Sequence, residues 1–110
     1  MSTMYVYVTA SGMDEARKIG RAAVEQRLAA CANVISGIDS IYWWQGKVEE
    51  TEEAVLIMKT TADRVDDLIG FAKQMHTYEC PCIEAWPVTD GHRPFLDWIA
   101  AEVSRHGHRP

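Results

Sequence analysis

The chain lacks any apolar run near the roughly 20 residues that a membrane-spanning helix requires. Membrane insertion is therefore not expected. Its first residues show no basic stretch followed by an apolar core, the pattern of a secretory leader. Cysteine is scarce, with three in 110 residues. The odd count argues against a disulfide scaffold, and free thiols in a reducing compartment, the cytoplasm, are the simplest expectation. Positive charge is also in short supply: 11 Lys and Arg against 16 Asp and Glu leave a net charge of -5. That balance speaks against nucleic acid as a partner, because phosphate backbones are held by clustered Lys and Arg. Enzyme signatures are missing too. There is no G-x-S-x-G, phosphate loop, dinucleotide fingerprint or H-E-x-x-H. No Ser or Cys stands beside a base and an orienting acid. No catalytic residue is named, and an enzyme is not expected. With no linker, repeat or low-complexity stretch, residues 1–110 read as one domain. Residues 105–110 carry no pattern and read as its tail.

What is present begins with Ser40-Ile41-Tyr42-Trp43-Trp44-Gln45-Gly46-Lys47-Val48-Glu49. Three adjacent aromatics precede a two-residue Gln-Gly turn. β-prone runs flank it, Cys31 to Trp44 before and Val48 to Thr60 after. This is the signature of one hairpin, since Gly tolerates the positive φ of a tight turn. Strands of about five or six residues are usual. An arm this long overshoots a small domain, so its aromatic faces need a partner, and another copy of the chain is the simplest one. Ser36-Gly37 marks a bend or bulge in the first hairpin strand.

The remaining elements follow in short order. Met4 to Thr9 reads as a strand. Ala16, Ile19, Gly20, Ala23, Val24 and Leu28 keep a helical period after a start at Ser11 or Asp14. Thr60 or Thr61 caps a second helix with a stripe of Val65, Leu68, Ile69, Ala72 and Met75. Pro81 to Val88 reads as an edge strand. Phe95, Trp98, Ile99 and Val103 mark a final helix, with Pro94 in its first turn. The order β-α-β-β-α-β plus a helix predicts an α+β, ferredoxin-like sandwich. One sheet face of that fold usually meets water, which gives alternating strands. Tyr5-Val6-Tyr7-Val8 and Val55-Leu56-Ile57-Met58 are instead apolar on both faces. Something must cover the second face, and self-association is the best candidate.

Reactive groups gather in Met75-His76-Thr77-Tyr78-Glu79-Cys80-Pro81-Cys82-Ile83-Glu84. His76, at the end of the second helix, is read either as a capping residue that the helix dipole keeps protonated or as a metal ligand. Cys80 and Cys82, two apart in a strand, share a face and could hold a soft ion such as Cu(I). Core packing is the plainer reading for both, and for Cys31 among its alanines. Lys59, where an apolar strand ends, either reaches solvent or faces an anion. Glu49, Glu50, Glu52 and Glu53 read as a solvated strand edge.

Five segments together resemble the CutA divalent-cation-tolerance family. They are Leu28-Ala29-Ala30-Cys31-Ala32-Asn33, Ser40 to Lys47, Lys59-Thr60-Thr61, His76-Thr77-Tyr78-Glu79-Cys80-Pro81 and Phe95-Leu96-Asp97-Trp98. The resemblance covers Tyr5 to about Val103. It implies a homotrimer similar to the P-II signalling proteins, wrapped by the hairpin arms, with Tyr42, Trp43 and Trp44 at the trimer interface. It implies a role in tolerance of copper or another divalent cation, with no metal needed for folding. Ligands would lie in intersubunit clefts near Lys59, Tyr78, Glu79, Tyr42 and Trp44, with His76, Cys80 and Cys82 as metal candidates. Two alternatives stay open: a P-II-like regulator binding a small anion or nucleotide, and a scaffold docking a protein partner that the sequence does not identify. The chain departs from the family in having Thr77 where a Pro is common. It also has Val8 and Met75 where copper-binding members carry a Cys and a first His.

Overall fold

A computed structural model describes residues 2–105. Apolar runs broken by polar turns become β1 (Thr3–Ala10), α1 (Met13–Glu25), β2 (Cys31–Trp44), β3 (Lys47–Thr61), α2 (Val65–Met75), β4 (Ile83–Pro87) and α3 (Arg93–Val103). A short 3-10 turn, Ala62–Arg64, joins β3 to α2. The strands form one antiparallel sheet in the order β2-β3-β1-β4. The α+β, ferredoxin-like expectation therefore holds.

The two faces of the sheet are set by register. Val6, Val8 and Ala10 pair with Met58, Leu56 and Ala54. All six are buried in one core with Ala16, Ile19 and Ala23 of α1 and Leu68 and Ala72 of α2. On the opposite face stand Tyr5, Tyr7 and Thr9 of β1 beside Lys59, Ile57 and Val55 of β3. The chain itself covers part of that face, because α3 lies against β3 and β1. Ile99 and Val103 are buried there. Ile35, Trp86 and Trp98 remain exposed on this side of the molecule.

The hairpin extends well beyond the helices. Its turn has φ of 48° at Gln45 and 78° at Gly46, both positive as a type I′ turn needs. The bulge falls where expected: pairing shifts between Ile35 and Ile38, and Gly37 has φ of 72°. Beyond it the arm pairs Ile38–Trp44 with Lys47–Glu53. The molecule measures 48 × 29 × 21 Å along its principal axes.

Element ends differ from the sequence reading for local reasons. α1 stops at Glu25, and Arg27 adopts a left-handed φ of 59°, so Leu28 follows the helix instead of ending it. Thr61 does not cap α2; its hydroxyl donates to the Asp63 carboxylate, while the Thr60 hydroxyl donates to the Leu28 carbonyl at 2.7 Å. β4 begins at Ile83, which leaves Cys80 and Cys82 in the preceding loop. In the stretch read as a tail, Arg105 donates to Asp67 at 2.8 Å. Residues 106–110 lie outside the described residues.

Candidate functional site

The site is built on the end of α2. His76 is its C-cap, with ψ of 143° turning the chain into an extended path. The imidazole is fully buried. Its Nε2 lies 2.7 Å from the Thr9 carbonyl, and its Nδ1 accepts from the Tyr78 N–H at 3.1 Å. A carbonyl only accepts and an amide N–H only donates, so in this pair of bonds Nε2 serves as donor and Nδ1 as acceptor. Both ring nitrogens are thus engaged. His76 caps α2, one of the two readings the sequence offered, and its ring ties the helix to β1.

Glu15 of α1 holds the next residue. Its Oε2 accepts from the Thr77 N–H at 2.9 Å, and its Oε1 accepts from the Ser11 N–H at 2.9 Å and the Ser11 hydroxyl at 3.0 Å. Burial alone raises the carboxyl pKa. The hydrogen bonds from Thr77 and Ser11 outweigh it and hold the group at about 2, down from 4.5. The Glu15 carboxylate stands 3.8 Å from His76 Nδ1.

This pinned turn aims Tyr78 at the hairpin. Its hydroxyl donates to Glu53 Oε2 at 2.8 Å, and the Tyr42 hydroxyl lies 2.8 Å from Thr51 Oγ1. Burial first, then the Glu53 hydrogen bond and the charges of Glu53 and Glu15, push the Tyr78 phenol up to about 12. Glu53 itself is only 9% exposed. Between arm and loop lies an open groove of about 1060 Å³.

Seven of the expected residues line this groove: Tyr42, Trp43, Trp44, Tyr78, Glu79, Cys80 and Cys82. His76 sits behind the groove wall. Lys59 lies apart from it. It is six residues along β3 from Glu53, about 20 Å at ~3.3 Å per residue. There its Nζ rests 5.3 Å from the ring centroids of both Tyr5 and Phe95. Cys80 and Cys82 are exposed free thiols, where core packing was the plainer expectation. Cys31 is half-buried opposite Lys59; burial pushes its thiol up and the Lys59 charge partly offsets this.

Three residues of the site were not singled out from the sequence. Glu53 was read as one of four solvated acids, yet it shares a strand face with Val55, Ile57 and Lys59, and that period of two was its signal. Glu15 follows Ser11 by four residues, the spacing of a side chain that reaches back over a helix start. Thr9 acts through its backbone and left no signal.

A family model described as CutA1 divalent ion tolerance protein matches residues 4–102. The chain belongs to the CutA1 family. The divalent-cation tolerance protein CutA of Thermus thermophilus is 44% identical over 94 residues, covering 86% of this chain and 91% of that one. The crystal structure of CutA from Xylella fastidiosa superposes with a TM-score of 0.92 at 35% identity, over 94% of this chain and 100% of that one. The Archaeoglobus fulgidus structure gives a TM-score of 0.89 at 38% identity, over 93% and 99%. That CutA is described as periplasmic, so family membership does not carry the cytoplasmic expectation.

A divalent cation is what the CutA1 family description implies, and the donors of this chain do not fit it. Among the described residues no three His, Cys, Asp or Glu side chains converge to hold a metal ion. His76 is engaged at both nitrogens. Val8 is buried in the core, and Met75 packs against that core.

Proposed function

We propose that this CutA protein works as a homotrimer contributing to metal tolerance, by binding and not by catalysis, with ligands held in clefts between subunits. The observation that carries the reading is the state of the arm. Ile41, Trp43 and Val48 are 68%, 75% and 58% exposed in one protomer, on the two strands of an arm that pair only with each other. Apolar surface left open in this way marks a contact site. Tyr42, Trp43 and Trp44 are the proposed interface residues. In such an assembly the Lys59 end of one sheet and the arm of a neighbour would close one cleft. That accounts for a ligand set split by about 20 Å in a single protomer. The cytoplasm is the proposed compartment, because Cys80 and Cys82 are free and exposed.

Lys59 favours a second reading, a regulator that binds a small anion or nucleotide. Its ammonium rests on two aromatic rings. Among the described residues no carboxylate stands within ion-pair distance of it. A scaffold that docks a protein partner would need neither ligand.

The test is mass by light scattering, followed by titration with Cu(II), Zn(II), phosphate and ATP on wild type and Lys59→Ala. A trimer mass with saturable binding weakened by Lys59→Ala supports the reading. A monomer at micromolar concentration would sink it. Binding of phosphate or ATP alone moves the conclusion to the anion regulator.

A further inference from the structure

We propose that Cys80 and Cys82 form a two-sulfur site for a monovalent thiophilic ion, copper(I), and that this site discriminates against divalent ions. The inference rests on the metal-binding part of the reading above and names its residues. Both thiols are free, both are exposed, and both line the same groove. They are the soft donors there. Thiolate sulfur selects copper(I), whereas hard divalent ions seek oxygen cages and zinc seeks four ligands. The protomer offers no third converging donor among the described residues. The nearest imidazole in sequence, His76, is held at both nitrogens by Thr9 and Tyr78. A divalent site is therefore incomplete. Two sulfurs alone suffice for a two-coordinate monovalent ion.

The loop that carries the pair is held at both ends. Upstream, Tyr78 is fixed by its amide bond to His76 and its hydroxyl bond to Glu53. Downstream, the Cys82 carbonyl accepts from the Thr9 N–H at 3.2 Å, and β4 starts at the next residue. Between the thiols stands Pro81, whose ring fixes its φ and narrows the range of sulfur separations. Holding donors in place before the ion arrives reduces the ordering cost of binding. Cys82 lines the groove together with Thr9 at the end of β1 and Tyr42 and Trp44 of the arm. On ligation each thiol releases its proton to solvent, two S–Cu bonds form, and no change of oxidation state is required.

The experiment uses reduced, tag-free full-length protein under anaerobic conditions. Copper(I) is supplied from a coloured competing chelator, with silver(I) as a redox-inert probe and Zn(II) as the divalent comparison. The variants are Cys80→Ser, Cys82→Ser, the double Ser variant and Cys31→Ser. Wild type should take one copper(I) per protomer from the chelator. Uptake should be lost in each of the Cys80 and Cys82 variants and kept in Cys31→Ser. Zn(II) should not compete. X-ray absorption of the wild-type complex should show two sulfur neighbours and no nitrogen or oxygen at bonding distance. This readout stands even if a variant folds poorly. Uptake undiminished in the double Ser variant, or a nitrogen in the copper shell, overturns the proposal. Light-scattering mass and Lys59-dependent ligand binding report on the trimer reading separately, so either idea can fail alone.

Discussion

At the scale of single side chains, Glu15 governs the shape of the site without lining the groove. Its carboxylate takes hydrogen bonds from Thr77 and from both donors of Ser11. Its folded pKa, about 2, lies below the unfolded value of 4.5. A depressed acid contributes stability that is present above the unfolded pKa and lost as pH falls through the folded one. The window is therefore pH 4.5 down to about 2. At about 1.4 kcal/mol per pH unit, discounted for water reaching this turn, the contribution is on the order of 2 kcal/mol. Urea unfolding of wild type and Glu15→Gln across pH 2 to 7 checks it. The two should differ most near neutrality and converge at the acid end. Parallel curves would mean that the carboxylate is not the cause. His76 makes a second case. Removing it by His76→Ala leaves the Thr9 carbonyl and the Tyr78 amide without partners and opens a cavity. A loss of about 2–4 kcal/mol is expected in the same assay, whereas a change below about 0.5 kcal/mol would show that water replaces the ring freely.

At the scale of elements, two helix glycines on the same fold should respond oppositely to alanine. A Cβ on Gly20 of α1 would stand 2.8 Å from Leu56 Cδ1 and 3.1 Å from Ala32 Cβ. Leu56 is fully buried and cannot swing aside. Overpacking costs about 1–3 kcal/mol and outweighs the helix-propensity gain of up to ~1 kcal/mol. Gly20→Ala should therefore destabilise. A Cβ on Gly70 of α2 meets nothing within 4 Å, so Gly70→Ala should stabilise by up to ~1 kcal/mol. Thermal and urea unfolding distinguish the two, and equal signs would refute the packing argument. The period that put Gly20 on the apolar stripe with Ala16 and Ala23 was visible in the sequence, as were the strands and the Gln45-Gly46 turn. Their apolar spacing is set by burial, and burial follows from the chain's own alternation. The ends of elements were less visible. β4 loses Pro81 and Cys82 because pairing with β1 stops at Val8 opposite Ile83. α2 starts after a 3-10 turn, at whose head Thr61 bonds Asp63. The end of β4 is decided by strand pairing that no local pattern encodes. The same holds for the site. The groups on the arm and the loop were recognisable as chemistry, but the bond from Tyr78 to Glu53 spans 25 residues. The separation of Lys59 from the groove depends on the register of β3.

At the scale of the whole molecule, the arm and the doubly apolar sheet make the same demand. α3 satisfies part of it by covering one end of the outer sheet face. The arm has no such cover from its own chain. Ile41, Trp43 and Val48 stand on one face of it, since Trp43 pairs directly with Val48 and Ile41 lies two residues away. If neighbouring copies bury this face, folding and assembly are linked, and the melting temperature must rise with protomer concentration. A hundredfold dilution should lower it measurably, and an unchanged value would count against the trimer. The sharper test is Trp43→Glu. The substitution places a charge on the proposed buried contact, where desolvation without a partner is costly. In an isolated protomer the same residue is 75% exposed, and surface substitutions usually change stability by less than about 0.5 kcal/mol. The two cases separate cleanly. If the arm is an interface, Trp43→Glu lowers the light-scattering mass to that of one chain and abolishes the concentration dependence of melting. The protomer's far-ultraviolet circular dichroism should be retained. If the arm is free, mass and melting stay as in wild type, and the exposed aromatics must serve a partner other than a second copy.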